Sequence, residues 1–501
     1  MPVIHHNLIG WSNLPGHISP YWTAVVLISC YATVRLVQTL ATAFFSPLAK
    51  VPGPLLNSLT EWPLKLQTLA GRRIYYVDDL HKRYGPIVRI APNELAVNEL
   101  ASVKEVHRIG SGFGKSEWYP IISGESPINA GMFSQRDPKK HAIRRKLFSQ
   151  PFSKAGIQEW EEMLKEKVNM AVAGMGKMAA RGDGVADVLE WWTFMTTDVI
   201  AELGFGENFH ALETGKPSQY TKDLLKTFIL SGLRANFPFL FNLAKYLPIP
   251  PLQHVVGAFR RLEVYGEQAI AKYRHMEKNG GCRKTLFTNM AEGAIDDKAI
   301  AREAQNLIIA GTDTTSVTLT YLVWAVASHP KVKAKLLEEI RQKIHSDTFR
   351  TADTEELPYL QAVIQETLRL YGAAPGGLPR VAPAGGRVLS EVFVPEGTVV
   401  TTQAYSLHRD ANIYADSHSF KPERWFSSTQ AMKDAFMPFG GGTRVCIGVH
   451  LAKFEIALGA ITFFLAYPNA QVAPQTTLED MEFENFFLIA PKSHKCLIKL
   501  N

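Results

Sequence analysis

The sequence predicts a mainly α-helical body with small β-sheets, preceded by one N-terminal transmembrane helix. Three observations carry this prediction. An apolar run near the N-terminus is about as long as the roughly 20 residues a helix needs to cross a bilayer. Most of the chain after it shows helical patterning, with the longest candidate from about Asp296 to Ser328, and β-like runs are confined to short stretches such as residues 87–98 and 392–402. The 501 residues, 46% hydrophobic and 20% charged, can bury a large core, which excludes a disordered or fibrous chain. A net charge of +7 is a mild excess at this length and gives no sign of a nucleic-acid binder. Four cysteines, Cys30, Cys282, Cys446 and Cys496, stand too far apart for a disulfide framework or a zinc site. No Asn-x-Ser/Thr acceptor occurs, which agrees with a body facing the cytosol.

In chain order, residues 1–20 read as a short lumenal segment and 21–45 as the anchor. Arg35 interrupts the apolar run past its middle, where it can snorkel toward an interface. No Lys or Arg precedes the run and no small-residue cleavage site follows, so it does not read as a signal peptide. Lys50 on the exit side places the body in the cytosol. Residues 46–57, containing Val51-Pro52-Gly53-Pro54, read as a Pro-rich hinge, and 58–501 as the catalytic body.

Within the body, Ile87–Asn98 carries two short β-like runs around Pro92-Asn93, and Val392–Thr402 has the same look around Pro395–Gly397. GSGFGKS at 110–116 imitates a phosphate loop, but position 109 is Ile where the motif needs Gly, and the stretch before it is helix-like. No GxGxxG follows a strand elsewhere, so no nicotinamide or flavin site is visible. The helix-like Lys139–Lys146 holds the densest positive charge, with His141 and Arg145 on one face and Lys140 and Arg144 on another. Loops at roughly 102–131 and 230–256 are candidate substrate-facing segments, the second strongly apolar with Pro breaks.

The stretch 296–328 starts acidic and stops at His329-Pro330, and as one helix it spans about 50 Å. At its middle stands Ala310-Gly311-Thr312-Asp313-Thr314-Thr315. A mid-helix Thr can bond the carbonyl four residues back, at Ala310, and Gly311 weakens the helix so that a groove can open. That leaves the Thr314 hydroxyl and the Asp313 carboxylate beside a pocket, able to carry protons. Further on, Pro438–Gly448 (PFGGGTRVCIG) sets three glycines before Cys446, which then opens a helix-like run. A cysteine at a helix N-terminus is stabilised as thiolate, and a thiolate can be a nucleophile or a metal ligand.

Phe439, Gly442, Arg444, Cys446 and Gly448 fit F-x-x-G-x-R-x-C-x-G, which resembles the haem-ligating signature of the cytochrome P450 family. Its other marks are present in order. Glu366-Thr367-Leu368-Arg369 resembles the E-x-x-R element, Pro422-Glu423-Arg424-Trp425 the segment that completes its cluster (with Trp425 in place of the commoner Phe), and Ala310–Thr315 the oxygen-activation stretch. The resemblance covers essentially the whole body.

The resemblance implies the P450 fold and a b-type haem (haem b, iron protoporphyrin IX) with the Cys446 thiolate as axial ligand, seated among Phe439, Gly442 and Gly448. It implies a buried bracing triad of Glu366, Arg369 and Arg424, and propionate contacts from Arg145, Arg380 and Arg444. His141 stands where many members have Trp. Thr314 and Asp313 would guide protons, and Lys139, Lys140, Arg144 and Lys146 would dock an acidic electron donor. The implied activity is monooxygenation of a hydrophobic small molecule, a terpenoid, polyketide or alkaloid-type secondary metabolite, in the manner of fungal biosynthetic members. Electrons would come from NADPH through a separate NADPH-cytochrome P450 reductase, with cytochrome b5 as an auxiliary donor. The implied location is the endoplasmic reticulum membrane, single-pass, in contact with membrane lipid. Two alternatives are a haem-thiolate peroxide isomerase or dehydratase, and a non-catalytic haem sensor or lipid-ligand carrier. The first tends to lose the acid–alcohol pair that this chain keeps.

Overall fold

The computed structural model describes residues 20–125, 129–278, 285–286, 288, 296–344 and 349–500, so all but the last residue of the expected lumenal segment, and Cys282, lie outside the described residues. Helix Pro20–Phe45 has no acidic or basic residue in its terminal turns, and its span Tyr21–Phe45 is long and apolar enough to cross a membrane, with its most apolar stretch unburied and Ala43 near its end buried. Helix Val449–Ala466 meets the same length and hydropathy criteria, but it is packed into the core.

The Pro-rich stretch after the anchor packs on the body. Leu48 and Val51 are buried in a core cluster with Ile87, Leu95 and Val400. A Cβ at Gly53 would stand 2.4 Å from the Arg89 carbonyl oxygen, so glycine is what lets this stretch lie on the first strand. Arg89 itself is buried, and its guanidinium donates to Thr42 O at 3.0 Å and Ala43 O at 3.1 Å, satisfying carbonyls that the anchor helix leaves open at its C-terminus. This cap docks the helix end to the sheet.

The main sheet has five strands. Ile87–Ala91 pairs antiparallel with Glu94–Val97, which pairs parallel with Val399–Thr402; Arg380–Val381 then bridges to Gly114–Lys115. Val392–Thr402 forms two short strands around Pro395–Gly397, as expected, and the two belong to different sheets. Val392–Val394 pairs with Arg387–Leu389, while Val399–Thr402 enters the main sheet. The last two strands of the main sheet set Lys115 directly opposite Arg380.

Helix Asp297–Ser328 starts as the acidic signal predicts, with Asp296 accepting from the Ala299 N–H at 2.7 Å, and gives way at His329 to a second helix opened by Pro330. This central helix packs against Val188–Phe205, Ala258–Lys278, Pro358–Tyr371 and Val449–Ala466. Their apolar faces form one large core that contains Trp192, Phe194, Tyr321, Ile461 and Phe464. The molecule is therefore mainly helical with small sheets, as predicted.

Candidate active site

Behind the cysteine loop lies the charge cluster that braces it. Glu366 and Arg369, one turn apart on Pro358–Tyr371, are fully buried and paired, Arg369 Nη2 to Glu366 Oε1 at 2.7 Å and Nε to Oε2 at 2.9 Å. Arg424 Nε adds a bond to Oε1 at 3.0 Å, and the Trp425 indole N–H donates to Oε2 at 3.0 Å. The remaining Arg369 donors reach the carbonyls of His408 and Ser417. A buried ion cluster survives only when its donors and acceptors are filled in this way.

His408, which no sequence signal marked, extends the brace to the loop. Its Nε2 accepts from the Met437 N–H at 3.0 Å, so its Nδ1 carries the proton and donates to Arg369 O at 3.0 Å. Burial drives its pKa down to about 3, which holds that neutral form.

The loop from Met437 turns through Gly440 and Gly442, both with positive φ. At Gly442 a Cβ would stand 2.0 Å from the His107 carbonyl oxygen. The Cys446 N–H donates to Phe439 O at 2.9 Å, and Arg145 Nη1 donates to Val445 O at 2.7 Å. Cys446 does not itself open a helix: the helix begins at Val449, after Gly448 as N-cap, because the intervening residues close the loop. Burial pushes the thiol up, while the Gly448 N–H and the Arg145 charge pull it down.

Cys446 faces a cavity of about 960 Å³ lined also by Phe439, Gly448, His141, Arg145, Arg380, Arg444, Lys115, Ile309, Ala310, Gly311 and Thr314. Among the described cysteines it alone reaches this space; Cys30 is on the anchor, and Cys496 is buried with its N–H bonded to Asp187. Lys115, Arg145, Arg380 and Arg444 converge on the cavity, and among the described residues no carboxylate forms an ion pair with any of them. Burial, then the Arg444, Lys115, Arg145 and Arg380 charges, lower the His141 pKa to about 3. Lys115 was overlooked within the false phosphate loop. Its signal lies in pairing opposite Arg380, which local patterning does not reveal.

On the central helix the Thr314 hydroxyl donates to Ala310 O at 2.7 Å, as expected. Two expectations are corrected. The helix runs through this point without interruption, and Gly311 serves close packing: a Cβ there would stand 2.8 Å from Ile200 Cγ1. Asp313 does not line the cavity with Thr314, because one residue along a helix turns the side chain by about 100°. Its carboxyl is raised by burial to about 7. Arg144 also departs from expectation, turning inward to pair with the buried Glu303 at 2.8 Å, which leaves Lys139, Lys140 and Lys146 exposed on Pro138–Ser149.

A family model for cytochrome P450 matches residues 53–498. The chain belongs to the cytochrome P450 family. This P450 is 40% identical over 475 residues to the cytochrome P450 monooxygenase tazI of Aspergillus terreus, covering 93% of this chain and 96% of the relative. It is 36% identical to the monooxygenase orf2 of Aspergillus niger over 97% and 99% of the two chains, and 35% identical to stcB of Emericella nidulans over 98% and 96%. The relatives named are fungal monooxygenases, the P450 family is one of oxidoreductases, and its cofactor is a haem held by a cysteine thiolate.

Proposed function

We propose that this P450 is a membrane-anchored monooxygenase that inserts one oxygen atom of O₂ into a hydrophobic secondary metabolite, with NADPH electrons delivered by a separate reductase. The observation that carries the reading is the cavity: a cysteine thiol at one wall, four cations that pair with no carboxylate among the described residues, and a helix hydroxyl over the same space. That donor set fits a haem, since a planar dicarboxylate needs an open glycine floor, a soft axial ligand and cations for its propionates. Cys446 is the proposed ligand, Phe439, Gly442 and Gly448 the proposed bed, and Arg145, Arg380, Arg444 and Lys115 the proposed propionate contacts. His141, held neutral, would offer a hydrogen bond in place of charge. When bound, the haem supplies the iron at which O₂ is reduced, with the thiolate pushing electron density to favour O–O cleavage.

The chain's own part is positional and protonic. Thr314 presents its oxygen to the cavity while its proton rests on Ala310 O, so the hydroxyl can accept one proton as it passes another on. Asp313, whose carboxyl burial raises to about 7, is the proposed group that resupplies that proton. Arg145 fixes the loop through Val445 O, and the Glu366, Arg369, Arg424 and Trp425 cluster holds it from the far side. Retention of Thr314 and Asp313 favours oxygen activation over peroxide rearrangement.

For location, helix Pro20–Phe45 supports a single-pass anchor in the endoplasmic reticulum with the body in the cytosol. Exposed Leu55, Leu56 and Leu66 stand beside Trp62, whose ring lies 5.9 Å from Phe237, and exposed Phe239, Leu240, Tyr246 and Ile249 follow. These exposed apolar side chains support a body resting on lipid and taking substrate from it. The remaining exposed lysines of Pro138–Ser149 support docking of an acidic reductase surface. The test is turnover with a reductase, NADPH and a panel of apolar natural products under ¹⁸O₂. Product carrying one labelled oxygen supports the reading; none with any compound, in haem-loaded protein, favours a sensor or carrier.

A further inference from the structure

Of the described cations on the cavity wall beyond those assigned to the cofactor, Arg234 is the one held between aromatic rings. Arg234, in helix Gln219–Asn236, lines the cavity where that helix packs on Trp118–Ser123 and Ala258–Lys278. Its guanidinium carbon lies 4.0 Å from the Phe259 ring centre and 5.6 Å from that of Phe241, so two aromatic faces fix the plane of the fork. Its Nη2 donates to the carbonyl of Ile122, and Nη1 occupies the space that a Cβ at Gly124 would need, at a position whose φ of +68° already favours glycine.

A guanidinium has five N–H donors. Among the described residues the Ile122 carbonyl is the hydrogen-bond acceptor found for this one, its buried Nε has no partner, and no carboxylate forms an ion pair with it. The acid that acts on it, Glu125, has its oxygens spent elsewhere. Oε1 accepts from Asn306 at 2.8 Å, and Oε2 accepts from the Gly131 N–H at 2.8 Å and from the Ser134 hydroxyl. The neighbouring cation Arg260 is answered by Glu263 at 2.6 Å. A cavity wall that keeps a rigid, partly unsatisfied guanidinium forgoes hydrogen bonds unless the occupant supplies an acceptor.

We infer that Arg234 is a specificity-determining residue that selects substrates bearing an oxyanion, a carboxylate or an ionised phenol or enol, on an otherwise apolar body. The inference rests on reading the cavity as the substrate chamber of a monooxygenase. The oxyanion meets Nη1, the guanidinium nitrogen that among the described residues is neither bonded nor sealed from the cavity, and the apolar remainder extends toward Ile309, Ala310 and the cysteine loop along the same cavity.

The test uses the haem-loaded full chain and calorimetry with matched probes: 2-naphthoate against methyl 2-naphthoate for the carboxylate, and 2,4-dinitro-1-naphtholate against its methyl ether for the phenolate. The wild type should prefer at least one anion over its neutral partner by about tenfold or more. In Arg234→Gln that ratio should collapse toward one while the affinity for the neutral probes stays within about twofold, and Arg234→Lys should retain part of the preference. Which arm shows the preference names the oxyanion. A wild type without preference in either arm, or a preference that survives in Arg234→Gln, overturns the inference. An intact reduced carbon-monoxide spectrum in each variant shows that the fold and haem site persist, so failure here leaves the monooxygenase reading untouched. A missing spectrum in the wild type would instead remove that reading.

Discussion

The indole N–H of Trp425 donates to Glu366 Oε2 at 3.0 Å, so the residue that replaces the family's commoner phenylalanine brings an additional hydrogen bond into the buried cluster. Trp425→Phe should therefore cost about 1 kcal/mol in denaturant unfolding. Glu366→Ala strands Arg369 and Arg424 in the interior and should cost about 3–5 kcal/mol, with loss of haem-loaded protein. Equal effects from the two substitutions would mean that the indole bond and the ion pairs carry the same weight.

Glu455, on the helix after the cysteine loop, is buried and faces Thr315, and its carboxyl is raised by burial to about 8 from 4.5. The folded state thus keeps a proton that the unfolded chain releases, so stability falls as pH rises from about 4.5 toward 8. Asp313, raised to about 7 from 3.8, acts in the same direction over its own window. Glu455→Gln removes one of these terms, and its Tm advantage over wild type should grow from pH 5 to pH 8. Parallel Tm curves across that range would place the Glu455 titration near its ordinary value.

The basic helix divides by function. Lys140→Glu with Lys146→Glu should slow reduction by the reductase several-fold at low ionic strength and less as salt is added. Arg144→Gln should leave that salt dependence alone and instead lower stability by about 1–3 kcal/mol, because Glu303 loses its ion pair in the interior. Stopped-flow reduction across a salt series, read beside thermal unfolding, separates the two.

Much of this was legible in the chain itself. The anchor, the central helix with its Asp296 cap, and the Cys446 loop are carried by local signals: composition, capping chemistry and closely spaced fixed residues. What escaped depends on partners distant in sequence. Lys115 matters because Gly114–Lys115 pairs with Arg380–Val381, and Arg144 turns inward because Glu303 lies across from it, neither of which a helical pattern can reveal. His408 joins Arg369 O to the Met437 N–H through two bonds to backbone, and such bonds leave no motif. Gly311 was read for helix weakness, whereas its missing Cβ accommodates Ile200.

Thr314→Ala separates proton delivery from simple helix surface. The variant should keep its haem content and its affinity for substrate while the product formed per NADPH consumed falls about tenfold or more, with hydrogen peroxide appearing in solution. Asp313→Asn should slow turnover and flatten its pH dependence around 7, since it removes the carboxyl that titrates there. An unchanged product-to-NADPH ratio and rate in Thr314→Ala would require another proton path.

The central claim is that Cys446 is the thiolate that holds the haem, and the reduced carbon-monoxide difference spectrum of Cys446→Ala against wild type tests it most directly. The account predicts a thiolate-type band in the wild type and its loss in the variant, because among the described residues no other soft anionic side chain reaches the cavity. A variant that keeps the wild-type band would contradict it.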